Sequence, residues 1–154
     1  MKKIRARAIT EAEHEEVLAI LSFRDALIVR IMNDTGLRVS DVLNLPAELP
    51  SCITEIKTGK ERPIAISDTT RELVDAYRKK NNLDGQQHLF SIDRSTVYRS
   101  IKNAADALGL KNISPHSWRK KFARAWLAKY GLEATQKILN HRDLGTTLLY
   151  VAEI

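Results

Sequence analysis

Apolar residues recur along most of this chain at helical spacing. Thr10 with Glu13 three residues later is a capping-box pair, so a helix is predicted over about residues 10–21. Ser22 and Asp25 mark a second start, and Leu27, Ile28 and Ile31 give that helix an apolar stripe. Asn33-Asp34-Thr35-Gly36 reads as its stop, with Gly36 suited to positive φ after the last turn. Val39, Val42 and Leu43 restart a helical pattern that ends before Pro46. The pattern then changes. In SCITEIKTGKERPIAIS two short β-rich runs, Ile53 to Ile56 and Pro63 to Ile66, flank a polar turn containing glycine, which predicts a β-hairpin. Ser67 or Asp68 caps a helix to about Lys80, NNLDGQQ is a loop, and HLF is a short third strand or an extended piece. Asp93 caps a helix with Val97, Ile101, Ala104 and Leu108 on one face, ended by Gly109. Ser114-Pro115 is a cap with proline at the first helical position. The helix it opens places Trp118, Phe122, Ala125 and Trp126 at i, i+4, i+7 and i+8, a core stripe, and stops near Gly131. A short helix over about 133–139, then HRDLG, then a turn or two from Thr146 complete the chain. The expected fold is mainly α with a small antiparallel β-sheet (α+β), one domain over residues 1–154.

Composition narrows the function classes. At 154 residues, 44% hydrophobic and 29% charged, the chain suits one ordinary globular core. No apolar run approaches the ~18 residues of a membrane span, and the basic N-terminus MKKIRARAIT has no apolar core behind it, so no secretory signal is read. One cysteine, Cys52, excludes an internal disulfide framework and a multi-cysteine zinc site. No pair of histidines has ligand spacing, so no metal or other cofactor is expected, and a reducing cytoplasm is the expected setting. The net charge of +6 makes nucleic acid a plausible partner. Base gathers in KTGKER (57–62), YRKK (77–80) and WRKKFAR (118–124), which a polyanion would meet.

Four polar features sit at the borders of the predicted elements. Arg38 lies in TGLRVSDVLNL, at a corner between two helices. Lys57 ends a strand in IKTGK, with Lys60 in the same hairpin. In PHSWR, His116 and Arg119 are three apart on one face of a helix start, where free N–H groups and the helix dipole favour a phosphate. In LNHRDLGTTLLY, His141 ends a helix and Tyr150 follows nine residues later. Taken singly, each has an ordinary reading as a cap, a solvated charge or, for Tyr150, a core ring. Together they form a set of donors suited to a phosphodiester, with a hydroxyl able to attack phosphorus.

These motifs, over about residues 8–152, resemble the catalytic domain of the tyrosine recombinases, the family of phage integrases, and more distantly the type IB topoisomerases. TGLRVSDVLNL is similar to the family's first-arginine box, IKTGKERPIAI to its β-hairpin lysine, PHSWRKKFA to its H-x-x-R box, and LNHRDLGTTLLY to its histidine-to-tyrosine box. The resemblance implies that Arg38 and Arg119 hold the scissile phosphate. His116 would share proton transfer with Tyr150 and contact the phosphate. Lys57, with Lys60 as second candidate, would protonate the departing 5′-oxygen, and His141 would hydrogen-bond a phosphate oxygen. Tyr150 would form a 3′-phosphotyrosyl link that a 5′-hydroxyl later reverses, with neither ATP nor metal. The implied partner is double-stranded DNA, with other recombinase protomers or accessory proteins upon it and no membrane. Arg94, Arg99, Lys120, Lys121 and Arg124 are candidates for DNA contact.

The chain also departs from the family. Arg38 comes too early for an N-terminal core-binding or arm-binding domain, so a lone catalytic domain is expected. Asn140 stands where the family usually has glycine, and Lys120 where it often has histidine. An alternative is a non-catalytic DNA-binding regulator, or a truncated recombinase that keeps the fold. A third reading is a nicking enzyme that relaxes DNA. All six catalytic side-chain types are present, which favours catalysis.

Overall fold

The computed structural model describes residues 5–141 and 147–148. Helix α1 (Glu11–Ile20) opens on the predicted capping box: Glu13 N–H donates to Thr10 Oγ1 at 3.2 Å, and Thr10 N–H donates to the Glu13 carboxylate at 3.0 Å. Arg7 adds a two-pronged contact at 2.7 and 2.8 Å, and this bond holds the Glu13 carboxyl down to about 2. Ser22 caps α2 (Phe23–Thr35), which Gly36 closes in the left-handed conformation at φ 67°. α2 is the central helix. It buries Leu27, Ile28, Val29, Ile31 and Met32, more than one face of the helix. It packs against α1, α3 (Val39–Leu43), α4 (Asp68–Lys80) and α6 (His116–Tyr130). Leu37, Val39, Val42 and Trp118 join the same core.

The hairpin forms, displaced from its expected limits. β1 (Cys52–Thr54) pairs antiparallel with β2 (Glu61–Pro63), with Ile53 opposite Arg62. Competing partners end the strands early. Ile56 N–H donates to Asp41 Oδ1 (2.9 Å), and Glu55 N–H and Gly59 N–H close the turn on Lys60 O and Glu55 O. HLF is an extended piece: His88 bridges to Pro46, and Leu89 N–H donates to Leu45 O.

α5 (Arg94–Ala107) starts at the Asp93 cap, and α7 (Leu132–Ile138) follows Gly131. Pro115 already has helical φ and ψ ahead of α6, as a proline at the first position should. The contact with Ser114 is reversed, since Ser114 N–H donates to Ser117 Oγ at 3.1 Å. The predicted α6 core stripe holds only in part. Trp118 is fully buried, but Phe122 and Trp126 are half-buried and Ala125 is exposed. The outer rings stack on each other instead, Phe122 on Trp126 at 5.2 Å and Trp126 against Tyr130 at 4.5 Å. Among the described residues no helix is long and apolar enough to cross a membrane.

Candidate active site

The α2–α3 corner builds the first wall of the site. Gly36 must be glycine on two grounds: its φ is positive, and a Cβ there would overlap the Phe122 ring. The corner carries Arg38 in extended backbone at the start of α3, with no side-chain capping bond. So Arg38 neither caps carbonyls nor lies free in solvent. Its side chain is 17% exposed and its Nη1 stands 3.6 Å from the fully buried Glu55 carboxylate.

Arg119, from the first turn of α6, reaches the same corner from below. Nη1 donates to Gly36 O (2.8 Å) and Nη2 to Leu139 O (3.0 Å), so two main-chain carbonyls fix the plane of the guanidinium. It is 2% exposed yet still lines a cleft of about 380 Å³. Arg38, Lys57, Arg94 and Arg119 line that cleft with His116, Tyr98 and Ser40, and among the described residues no carboxylate lies in its wall. Asp41 and Glu55 lie beneath, buried. Burial raises the Asp41 carboxyl, helped by the Glu55 charge, while the Ile56 N–H bond and then Arg38 and Arg119 oppose this. Four cations facing one opening over buried acids make an anion-binding cleft.

His116 stands at the mouth. Desolvation, then the charges of Arg119, Arg38, Lys120 and Lys57, push its imidazole down to about 4. At neutral pH the ring is therefore a proton acceptor, and an anion entering the cleft would raise it again. The helix end offers an anion less than the sequence implied. Ser117 N–H and Trp118 N–H already donate to Ser114 O and Pro115 O, so the positive character comes from side chains.

The sequence-predicted residues thus separate into groups. Arg38, Lys57, His116 and Arg119 come together in one cleft, and Arg94 joins them from α5. His141 is half-buried outside the lining; its Nδ1 meets Thr147 Oγ1 at 2.8 Å. Tyr150 and Thr146 lie outside the described residues. Arg99 lines an adjoining groove with Lys102 and Lys111, and Arg124 is exposed.

Two of the candidates for DNA contact are engaged elsewhere. Lys120 is 4% exposed with its ammonium on Ala6 O (2.6 Å), and Lys121 bonds Glu11 (2.7 Å) and Asn33 (2.9 Å). Both tie α6 to neighbouring chain, because α6 turns that side toward α1 and α2 rather than toward the cleft. Arg62, read as part of a basic cluster that a polyanion would meet, is 1% exposed. It donates to Thr35 O and Ile138 O and lies over the Phe122 ring, so it braces the corner from behind. Its burial lowers its pKa to about 10. Sequence reasoning missed Arg62, Glu55 and Tyr98 as parts of the site. Asp41 carried a usable signal, since it lies one helical turn after Arg38.

Away from the cleft, Glu11, His14 and Glu15 bring possible ligand atoms within 4.8 Å of one another, a grouping the histidine spacing did not reveal. His14 is buried and accepts from Trp118 Nε1 (2.9 Å), while Glu11 pairs with Lys121, so two of the three serve packing.

Three comparisons bear on this cleft. The tyrosine recombinase XerA of Saccharolobus solfataricus is 30% identical over 97% of this chain and 53% of its own length. A crystal structure of XerA recombinase superposes with a TM-score of 0.78 at 24% identity, over 98% of this chain and 60% of that one. The XerH site-specific recombinase bound to its difH substrate, in a pre-cleavage complex, superposes with a TM-score of 0.73 at 22% identity, over 97% and 51%. The chain spans about half the length of the curated relatives it matches. The phage integrase family model matches residues 3–153, and the chain belongs to the phage integrase family.

Proposed function

We propose that this chain is the catalytic part of a site-specific DNA recombinase or integrase that cleaves and rejoins strands through a 3′-phosphotyrosyl intermediate. One observation carries the proposal: Arg38, Lys57, His116 and Arg119, from three separate segments, line a single cleft with no carboxylate in its wall among the described residues. Relatives named as tyrosine recombinases, and a solved structure of similar fold, lambda integrase bound to DNA, support DNA as the polyanion.

In this reading a phosphodiester enters the cleft and its non-bridging oxygens face Arg38 and Arg119. Because both guanidinium groups are set before DNA arrives, little reorganisation is needed as charge grows on the pentavalent phosphorus. His116, neutral in the empty cleft, takes the proton of the Tyr150 hydroxyl. The tyrosyl oxygen bonds to phosphorus, the bond to the 5′-oxygen breaks, and Lys57 supplies the proton that oxygen needs. His141 supports a phosphate oxygen. A 5′-hydroxyl from a second strand reverses each step, so the bond energy stays in the link and no nucleotide triphosphate is needed. Arg94 and Arg99 contact the DNA backbone beside the cleft, and further recombinase protomers or accessory proteins on DNA complete the exchange.

The test is a labelled duplex nicked close to the cleavage site, run on a denaturing gel after incubation with the protein. A covalent adduct at the 3′ end is expected, and Tyr150→Phe should bind DNA yet form none. An adduct that persists in Tyr150→Phe would reject this nucleophile, and a wild-type protein that binds DNA without cleaving it would favour the regulator instead.

A further inference from the structure

The buried acid beneath Arg38 is tied to more than Arg38. Glu55 Oε1 accepts from Thr58 Oγ1 (2.8 Å) and Asn140 Nδ2 (3.0 Å), and Arg38 Nη1 lies 3.6 Å away. These partners belong to three segments. Thr58 is next to Lys57 in the hairpin turn, Asn140 is next to His141 after α7, and Arg38 starts α3. The carboxylate thus joins three segments of the proposed machinery: the start of α3, the hairpin turn and the stretch just after α7.

Asn140 is unusual in itself. Its φ is 55°, a left-handed backbone that glycine adopts freely and asparagine more readily than most residues. Glycine would satisfy that backbone but could not reach Glu55. The asparagine side chain supplies a contact that the turn alone does not need.

The arginine contact has a particular form. At 3.6 Å it attracts without making a hydrogen bond, and Arg38 Nη1 is buried with no hydrogen-bond partner among the described residues. Arg62 and Arg119 add positive charge around the same acids. Without the Glu55 charge, repulsion from these neighbours would turn Arg38 outward. With it, Arg38 is held while its donors remain available to an incoming oxygen.

We infer that Glu55 and Asn140 are positioning residues, which through one buried carboxylate set Arg38, the Lys57 turn and the His141 segment relative to one another. This rests on the function proposed above. Asn140→Gly keeps the backbone conformation and removes only the side-chain contact. Glu55→Gln keeps an oxygen for Thr58 and Asn140 but removes the charge that faces Arg38.

Each variant should slow covalent cleavage of nicked DNA by about tenfold or more at saturating DNA, since misplacement by 1 Å can cost on the order of 100-fold. DNA affinity should change by much less, and Asn140→Gly should melt like the wild type. The double variant should be no slower than the worse single one, because both cut the same link. A second readout needs no DNA. The Arg38 Nε–Hε signal in ¹⁵N NMR should be a single ordered resonance in the wild type and averaged or broadened in both variants. Full activity in Asn140→Gly, or strictly additive rate losses, would overturn the inference. So would an Arg38 signal unchanged in both variants. If the wild type forms no adduct, the functional reading fails, and the NMR result alone still decides the positioning.

Discussion

The α2–α3 corner and the β-hairpin turn face the same cleft, but they hold their charged groups in opposite ways. Arg119 is buried, with two main-chain carbonyls fixing it, and Arg38 is mostly buried over Glu55. Lys57 is exposed on a turn between strands of three residues each. Its place depends on tethers beside it, Asp41 to Ile56 N–H and Glu55 to Thr58. A group that must meet growing charge from a fixed direction gains from rigid burial. A group that must deliver a proton needs reach and contact with water to be reloaded. The two supports match the two tasks proposed for them.

The largest effects should come from the rigid side. Arg38→Ala or Arg119→Ala should cost about 3 kcal/mol or more of transition-state stabilisation in single-turnover cleavage, as loss of an oriented donor does. Lysine should rescue Arg38 only in part, lacking the forked geometry. EDTA should leave the wild-type rate unchanged; activity lost to chelator and restored by magnesium would break the metal-free account.

Next in size is the corner itself. Gly36→Ala puts a Cβ into Phe122 and forces alanine to positive φ, which alone costs about 1–2 kcal/mol. The melting temperature should fall by roughly 5 °C or more, with cleavage falling further because the residue-36 carbonyl that fixes Arg119 is displaced. An alanine variant as stable and active as the wild type would show that the corner does not need its tight approach.

A smaller effect belongs to His116, between the two regions. The unfolded ring takes up a proton near 6.5, while the folded ring does so only at about 4. Between those values the unfolded state binds more protons, so stability falls as pH drops through that window. His116→Gln should remove this part of the slope in urea melts at pH 7 and pH 4.5. Because His116 stands partly open to solvent at the cleft mouth, screening should keep the change modest. An identical slope in both proteins would place the ring outside the cationic field.

Much of the fold was legible because its signals are local. Thr10 with Glu13, Ser22, Asp93 and the Gly36 stop each act within one turn of chain, and each caps the helix expected of it. The hairpin limits were less legible, since a side chain from α3, Asp41, takes the Ile56 N–H from the ladder. Three of the four motifs supply residues that line the cleft, yet its support was not readable. Arg62, Lys120 and Glu55 look solvated by type, and only partners distant in sequence make their burial tolerable: Ile138 and Thr35 for Arg62, Ala6 for Lys120, Asn140 for Glu55. No periodicity encodes a carbonyl 76 residues away.

The contrast between rigid clamp and exposed proton donor is tested most directly by changing the leaving group. A nicked duplex with sulfur in place of the scissile 5′-oxygen needs no acid, because a thiolate leaves without being protonated. Single-turnover cleavage of both substrates should be measured for the wild type, Lys57→Ala and Arg38→Ala. Lys57→Ala should lose about 100-fold or more on oxygen and nearly recover on sulfur, whereas Arg38→Ala should stay slow on both. Rescue of Arg38→Ala by sulfur, or a Lys57→Ala defect equal on both substrates, would contradict that contrast.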